Sequence, residues 1–242
     1  MRVGDDMSQP IVVPAKYNYI GVFLTLSCNL QCSYCINNFQ QKETKRKLIS
    51  GKAWVKGLNR LCSRPDLPVT FQGGEPSLHP DFTYIISHLK PDLPIDLLTN
   101  LQFDIDEFIA RVNPRRLTRS APYASVRVSF HPQMMNLEET IQKTLKLRSA
   151  GFHIGIWALL HPEHKKIILD AQRKCQILKI DFRTKEFLGV YNKKLYGTYA
   201  HEGACERKFK KKVMCKTSEL LIDSQGDIFR CHADLYAGKN SI

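Results

Sequence analysis

The feature that most constrains this chain is a group of three cysteines within eight residues. Cys28, Cys32 and Cys35 follow the spacing Cys-x3-Cys-x2-Cys, directly after an apolar, β-branched run at 19–26. A short loop with this spacing can turn three thiolates toward one point, as a metal ion or an iron–sulfur cluster requires. Three cysteines leave one iron of a four-iron cluster without a protein ligand. That iron stays open to a substrate, as a catalytic zinc keeps a free position.

Two other uses of these cysteines have to be weighed. A structural zinc site usually takes four local ligands in two pairs, and the sequence has no second Cys-x2-Cys pair. A disulfide framework is typical of short secreted proteins, whereas this chain has 242 residues and shows no signal peptide. The eight cysteines therefore indicate a reducing compartment. We expect a cytoplasmic protein that does not span a membrane.

The net charge of +13 is partly clustered along the chain. Basic residues concentrate at 42–47, at 115–119 and at 207–212. Such clusters favour an anionic partner, either nucleic acid or an acidic peptide, or they form a solvated surface that keeps the protein in solution. No signature of an RNA-binding module accompanies them, so nucleic acid is only weakly supported as a partner.

Predicted strands and helices alternate about six times over residues 19–185. The predicted strands lie at 19–26, 67–71, 95–99, 124–130, 152–160 and 180–184, and the predicted helices at 49–61, 79–89, 105–112, 136–150 and 163–178. This order predicts an α/β fold with a parallel sheet covered by helices, in which ligand groups gather at the carboxyl ends of the strands. We assign Cys62, at the end of the first predicted helix, and Cys175, inside the fifth, to these helices and expect both to be buried.

A second motif follows the second predicted strand. Gly73, Gly74, Glu75 and Pro76 stand there, about forty residues after the cysteines. Two glycines allow a close backbone approach and unusual dihedral angles, and they bring a carboxylate to the end of the strand. Taken alone, this sequence is typical of a turn.

Together, the cysteine spacing, the aromatic Tyr34 before the third cysteine and the Gly-Gly-Glu-Pro sequence resemble the radical SAM superfamily. The resemblance implies a partial (β/α)6 TIM-like barrel over residues 19–186, after an irregular lead-in at 1–18. It also implies a [4Fe–4S] cluster whose open iron is chelated by S-adenosylmethionine. An electron, supplied by a donor such as flavodoxin or ferredoxin, then yields a 5′-deoxyadenosyl radical that abstracts hydrogen from the substrate.

The resemblance also suggests which residues bind S-adenosylmethionine. Residues 73–76 would receive its amino group, and Asn100 and Ser129, which end the third and fourth predicted strands, would lie near its ribose or carboxylate. Arg183, in the sixth predicted strand, would bind the carboxylate. The alternatives are turn or cap residues for Asn100 and Ser129, and pairing among Arg183, Lys185 and Glu186 for Arg183.

The segment 187–242 differs in character and forms a predicted extension. It contains Cys205, Cys215 and Cys231, with a predicted β-hairpin at 219–230. The spacing resembles the start of a SPASM/twitch extension, which would make these three cysteines ligands of an auxiliary iron–sulfur cluster. The alternative is three unrelated buried cysteines.

The end of this segment departs from a full SPASM region, because the chain stops eleven residues after Cys231. Either the sequence is truncated or the extension is a short one with three cysteines. The fourth ligand would then be a substrate group or His232, or there would be none. His232 is alternatively a catalytic proton acceptor beside the cluster.

We therefore expect a radical SAM oxidoreductase-type enzyme. Relatives with such an extension often modify peptides or proteins, which makes a peptide or protein the favoured substrate by analogy. RNA or a small metabolite is the alternative substrate. A metal-stabilised binding module without chemistry is the alternative outside the enzymes, although such a module has no need of the Gly-Gly-Glu-Pro sequence.

Overall fold

The structure is a computed structural model that describes residues 9–37, 47–199, 216–238 and 241–242. The strands are β1 (Ile11–Val12), β2 (Tyr19–Phe23), β3 (Leu61–Cys62), β4 (Val69–Gln72), β5 (Ile95–Thr99), β6 (Val126–Phe130), β7 (Ile154–Leu160), β8 (Phe182–Glu186), β9 (Gly189–Tyr191), β10 (Lys194–Tyr196), β11 (Glu219–Ile222) and β12 (Ile228–Phe229). The helices are α1 (Gly51–Leu58), α2 (Phe82–His88), α3 (Ile105–Arg111), α4 (Leu137–Ser149), α5 (Lys165–Ile177) and α6 (His232–Ala237). Short 3-10 helices cover Pro76–Leu78, Pro114–Leu117 and Pro162–His164.

Eight strands form one sheet in the order β12-β11-β2-β4-β5-β6-β7-β8. From β2 to β8 every neighbouring pair is parallel and follows chain order. Since parallel crossovers are right-handed, a sheet that always steps in one direction carries its helices on one face. The fold is therefore α/β with a mostly parallel sheet, as the alternation predicts. Closure into a partial (β/α)6 barrel stays a prediction.

Apolar strand residues form the core between the sheet and its helices. Ile20, Val22, Val69, Phe71 and Leu97 are all fully buried, and the side chains of α1 to α5 pack on the same cluster. A parallel sheet of this kind needs strands that are nearly continuous in apolar residues, which is what the sequence supplies. In the described residues, no helix is both long enough and apolar enough to cross a membrane.

The first predicted helix ends earlier than the periodicity suggests. Asn59 forms its C-cap, and the Asn59 side chain donates to the carbonyl of His88 and accepts from the amide of Lys90. The chain then enters β3, which pairs with β1, so part of the lead-in is a short strand. The prediction that Cys62 is buried in a helix is therefore wrong, because Cys62 lies exposed in β3. Cys175 is buried in α5, as expected.

The predicted hairpin at the end of the chain is present as β11 and β12. Asp223 closes its turn by accepting hydrogen bonds from the amides of Gln225 and Asp227, and Gly226 supplies a positive φ of 83°. The sequence did not indicate where the hairpin would attach. β11 pairs in parallel with β2, so the hairpin extends the main sheet at the edge beside the cysteine loop.

Candidate functional site

A cavity of about 350 Å³ opens at the carboxyl ends of the central strands. It collects residues that are far apart in the sequence but follow β2, β4, β5 and β6. Its lining includes Cys28, Cys32, Cys35, Gln72, Gly73, Gly74, Glu75, Asn100, Ser129 and His131. Most of the predicted site residues therefore meet in one place, at the sheet edge where parallel α/β folds place their ligands.

The three cysteines of the first motif are free thiols at one side of this cavity. Burial raises the pKa of Cys28, and burial together with the neighbouring thiols Cys35 and Cys28 raises the pKa of Cys32 to about 12. A bound metal reverses this preference, because coordination removes the thiol proton. The amides of Leu30 and Asn37 each lie 3.4 Å from a sulfur, Cys28 Sγ and Cys35 Sγ respectively. Three thiols around one cavity, with N–H groups directed at sulfur, fit an iron–sulfur cluster.

The two glycines of the second motif lie against the backbone that leads into the cysteine loop. The Gly74 amide donates to the Thr25 carbonyl at 3.1 Å, and the Glu75 amide donates to the Ser27 carbonyl at 2.8 Å. A Cβ on Gly73 would stand 2.3 Å from the Thr25 oxygen, and one on Gly74 only 1.9 Å from the Ser27 oxygen. Gly73 also has a φ of +139°. Glycine is therefore required here so that the two loops can join.

Glu75 is the buried anchor of this junction, with an exposed fraction of 1%. Its Oε1 accepts from the Thr99 hydroxyl at 2.7 Å and from the Ser77 amide and hydroxyl at 3.1 and 2.8 Å. Its Oε2 accepts from the Asn100 amide at 2.7 Å. Burial raises the pKa of Glu75, and these donors oppose the rise. Two of these four bonds tie Glu75 to the end of β5 and two to Ser77 in its own loop, so most of its acceptor capacity is used within the protein.

Asn100 connects the same junction to the first cysteine. Its side-chain amide donates to Asn29 Oδ1 at 2.8 Å and lies 3.9 Å from Cys28 Sγ. Its own Oδ1 accepts from the amide of Gln102 at 3.0 Å. Asn100 is therefore positioned to fix the loop that carries Cys28. Ser129 lies across the cavity at the end of β6.

Tyr34 joins the cysteine loop to the strands on the other side of the cavity. Its hydroxyl lies 3.1 Å from His131 Nδ1, and its ring stacks on that of His161 with centroids 5.0 Å apart. Burial lowers the pKa of His131 to about 4, so its imidazole is neutral and can accept a hydrogen bond. A second link runs from Ser33, whose amide lies 3.2 Å from Gln133 Oε1. His161 was not predicted from the sequence, since the local pattern indicated only the start of a helix.

Gln72 and Pro76 flank the glycine motif without sharing one role. Gln72 Oε1 accepts from the Tyr19 hydroxyl at 2.9 Å, while its buried Nε2 has no hydrogen-bond partner in the described part of the chain. Gln72 also lines the cavity. Pro76 is not among the cavity-lining residues; it begins the short 3-10 helix that follows the motif.

Arg183 is placed differently from the predicted cofactor-binding residues. Its guanidinium donates to both carboxylate oxygens of Asp181 at 3.0 Å and to the Pro122 carbonyl, and it lies over the ring of Trp157. It is absent from the lining of the cavity. Its acidic partner is Asp181 and not Glu186, which the alternative named, and the cofactor role stays a prediction that these contacts do not support.

The predicted auxiliary site is only partly described. Cys231 is a free thiol at the N-terminus of α6, whereas Cys205 and Cys215 lie outside the described residues. His232 follows in α6, with its Nδ1 3.0 Å from Glu219 Oε2. The His232 ring contacts those of Tyr19, Phe23 and Tyr236 and does not line the cavity.

The sequence profile of the Radical SAM superfamily matches residues 22–168, which is more than half of the chain. The chain belongs to the Radical SAM superfamily. Membership implies a [4Fe–4S] cluster and S-adenosylmethionine as cofactors, and the thiols and the glycine junction of the cavity fit both. The matched region contains the cysteine loop, the glycine motif, the end of β2 and the whole of β4, β5, β6 and β7.

Curated relatives match only short stretches of the chain. A GTP 3′,8-cyclase of Psychromonas ingrahamii is 29% identical over 83 residues, which are 34% of this chain and 24% of that protein. A PqqA peptide cyclase of Bradyrhizobium diazoefficiens is 33% identical over 78 residues, which are 32% of this chain and 20% of that protein. The matches thus span about a quarter or less of the length of these relatives.

Solved structures show the same fold over a larger part of the chain. Streptococcus suis SuiB bound to S-adenosylmethionine has a TM-score of 0.62 at 14% identity, covering 93% of this chain and 63% of SuiB. The anSMEcpe enzyme with bound AdoMet and the Kp18Cys peptide has a TM-score of 0.56 at 13% identity, covering 88% of this chain and 74% of anSMEcpe. At these identities the likeness concerns the fold alone.

Proposed function

We propose that this chain is a radical SAM enzyme that abstracts a hydrogen atom from a peptide or protein substrate. The observation that carries the proposal is the cavity where Cys28, Cys32 and Cys35 face the glycine junction and Asn100. When bound there, the cluster supplies the electron that cleaves S-adenosylmethionine to a 5′-deoxyadenosyl radical.

The residues of the chain would bind and orient the cofactors. The three thiols would hold the cluster. The backbone at Gly73 and Gly74 would receive the amino group of S-adenosylmethionine. Because these residues have no side chains, the strand end can approach the cysteine loop. Since Glu75 is nearly saturated with hydrogen bonds, we assign it the positioning of this backbone. Ser129 and the Gln72 amide would contact the rest of the cofactor or the substrate.

The names of related proteins support a peptide substrate. The PqqA cyclase acts on a peptide by its name, and the anSMEcpe structure contains one. A nucleotide-like small molecule is the second candidate, because two curated relatives are GTP 3′,8-cyclases by name, one of them a probable one. RNA has less support. Arg119 and Arg116, from the predicted basic cluster, are engaged inside the protein with Asp96 and with the carbonyls of Pro91 and Leu93.

We also propose that Cys205, Cys215 and Cys231 bind an auxiliary iron–sulfur cluster and that His232 accepts a proton beside it. The Glu219 carboxylate, whose Oε2 lies 3.0 Å from His232 Nδ1, would orient the imidazole, which supports the second role. Replacing His232 by alanine tests both roles of that residue. Unchanged iron content and unchanged product formation in this variant would exclude both roles of His232.

Iron counting after anaerobic reconstitution tests the central proposal. We expect the triple variant with Cys28, Cys32 and Cys35 replaced by alanine to lose about four irons per chain and all 5′-deoxyadenosine formation. Cys62→Ala, which changes an exposed thiol of β3, is the matched control and should lose neither. Zinc in place of iron, or equal deoxyadenosine from the triple variant, would refute the proposal.

Deuterium transfer separates the substrate classes. The reconstituted enzyme would be incubated with S-adenosylmethionine and uniformly deuterated cell extract, separated into peptide, RNA and small-molecule fractions. Abstraction from carbon moves one deuterium into 5′-deoxyadenosine, which mass spectrometry detects. We expect transfer from the peptide fraction. Transfer from the small-molecule or RNA fraction alone would replace the proposed substrate class while leaving the radical chemistry intact.

A further inference from the structure

Three side chains with metal-binding groups meet just after β7, outside the cysteine site. His161, Glu163 and His164 each offer one ligand atom, and these atoms lie within 4.8 Å of one another. The sequence His-Pro-Glu-His brings them together because residues 162–164 form a single 3-10 turn directly after the strand. The group therefore depends on local geometry that the strand end and the proline fix.

Two polar atoms of this group are buried without a hydrogen-bond partner. His161 is only 4% exposed, and neither its Nδ1 nor His164 Nε2 has a partner in the described part of the chain. The nearest carboxylate oxygen, Glu163 Oε2, is 3.8 Å from His164 Nε2, which is too long for a hydrogen bond. Because nearly all buried polar groups in native proteins are satisfied, two such atoms in one small group indicate a missing ligand.

Aromatic rings hold the buried imidazole in position. Tyr34 stacks on His161 at an interplanar angle of 24°, while Phe187 and Tyr191 present their edges at centroid distances of 4.7 and 4.8 Å. A ligand whose ring is fixed by packing loses little freedom when it binds a metal ion. The His164 ring lies 5.5 Å from that of His161.

We propose that His161, Glu163 and His164 bind a divalent first-row metal ion of the zinc or ferrous type. Two imidazoles and one carboxylate are the donor set that such ions take in proteins, and three protein ligands leave at least one coordination position for water or another ligand. The site is separate from the cysteines and does not depend on the identity of the substrate. The ring of Tyr34 links it to the cluster loop.

Cobalt binding to the reconstituted, chelator-washed protein tests this inference. Co²⁺ replaces zinc, and its visible absorption distinguishes nitrogen and oxygen ligands from thiolates. We expect one Co²⁺ per chain without thiolate charge-transfer absorption, displaced by Zn²⁺. Glu163→Gln, His164→Gln and His161→Ala should each weaken binding at least about tenfold. His88→Ala, which removes an exposed histidine of α2, is the matched control and should bind as the wild type does.

Several outcomes would overturn the inference. These are no Co²⁺ binding by the wild type, binding with thiolate absorption only, or unchanged affinity in Glu163→Gln and His164→Gln. Glu163→Gln decides the question even if the buried His161→Ala does not fold, because the Glu163 side chain is 49% exposed. Retained iron content shows that each variant keeps the rest of its structure.

Discussion

Two buried polar groups near the cysteine loop, Glu75 on the glycine side and His161 beyond Tyr34, differ in how they are satisfied. On the glycine side, the buried Glu75 carboxylate accepts four hydrogen bonds from three neighbouring residues. On the other side, His161 is almost as deeply buried, yet its Nδ1 has no partner in the described chain. A saturated buried group stabilises the frame of a site, whereas an unsatisfied one indicates where a ligand belongs. A substitution at Glu75 should therefore mainly lower the stability of the fold. A substitution in the His161 group should mainly weaken the binding of a ligand.

The largest effect on stability is expected at Gly74, where the glycine motif lies against the backbone that leads into the cysteine loop. Gly74→Ala would place a Cβ 1.9 Å from the Ser27 carbonyl oxygen, so the glycine motif and the cysteine loop would have to separate. We expect a loss of about 3 kcal/mol or more in the free energy of unfolding, together with a loss of bound iron. Denaturant unfolding and iron analysis measure both.

The matched control for this change is Gly57→Ala in α1, where a new Cβ would meet nothing within 4 Å. It should leave iron content unchanged and raise stability by up to about 1 kcal/mol, because alanine favours a helix over glycine. Equal unfolding midpoints for the two variants would show that the close approach at Gly74 does not limit the fold.

The next effect compares the two glutamates directly. Glu75→Ala orphans the buried donors of Thr99 and Asn100, and we expect it to cost about 3 kcal/mol. Glu163→Gln should change the free energy of unfolding by less than about 0.5 kcal/mol, because that side chain is exposed, while it weakens the proposed cobalt binding at least about tenfold. Thermal and chemical denaturation of both variants provide the comparison. If Glu163→Gln lost more free energy of unfolding than Glu75→Ala, the distinction between a structural group and a ligand site would be wrong.

The smallest effect concerns Tyr34, which links the cysteine loop to His131 and to His161. Tyr34→Phe removes the hydroxyl that lies 3.1 Å from His131 Nδ1 but keeps the ring stacked on His161. We expect a loss of about 1 kcal/mol in stability, with iron content and cobalt affinity preserved. Tyr34→Leu, which also removes the ring, should in addition weaken cobalt binding. Identical cobalt affinity in both variants would mean that the stacking does not position His161.

Much of the architecture could be predicted because the signals are local. Apolar runs bounded by turns revealed the six central strands, and the carboxyl-edge rule for parallel sheets was enough to bring the cysteines and the glycine motif together. The early end of α1 was not visible, because it depends on contacts of Asn59 with His88 and Lys90, about thirty residues away. Cys62 was misplaced for the same reason.

Other features depend on partners that no local pattern specifies. The pairing of β11 with β2 joins segments from opposite ends of the chain, and an apolar strand does not encode which edge it will meet. Arg183 was predicted at the ligand but contacts Asp181 and Pro122, since a charge near a strand end can bind any nearby acceptor. The group at His161 was hidden because Glu163 and His164 fit the start of an amphipathic helix equally well.

The pairing of β11 with β2 also has a consequence for biosynthesis. In this register Tyr19 is opposite Glu219, so the strand that leads into the cysteine loop finds its neighbour only 200 residues later. During translation that edge stays open until residues 219–222 have left the ribosome, and contacts over such separations form slowly. A nascent or interrupted chain would present an unpaired, apolar strand edge beside the thiols, which is a template for aggregation. If iron were delivered before β11 pairs with β2, it would therefore reach the thiols while the sheet is still incomplete.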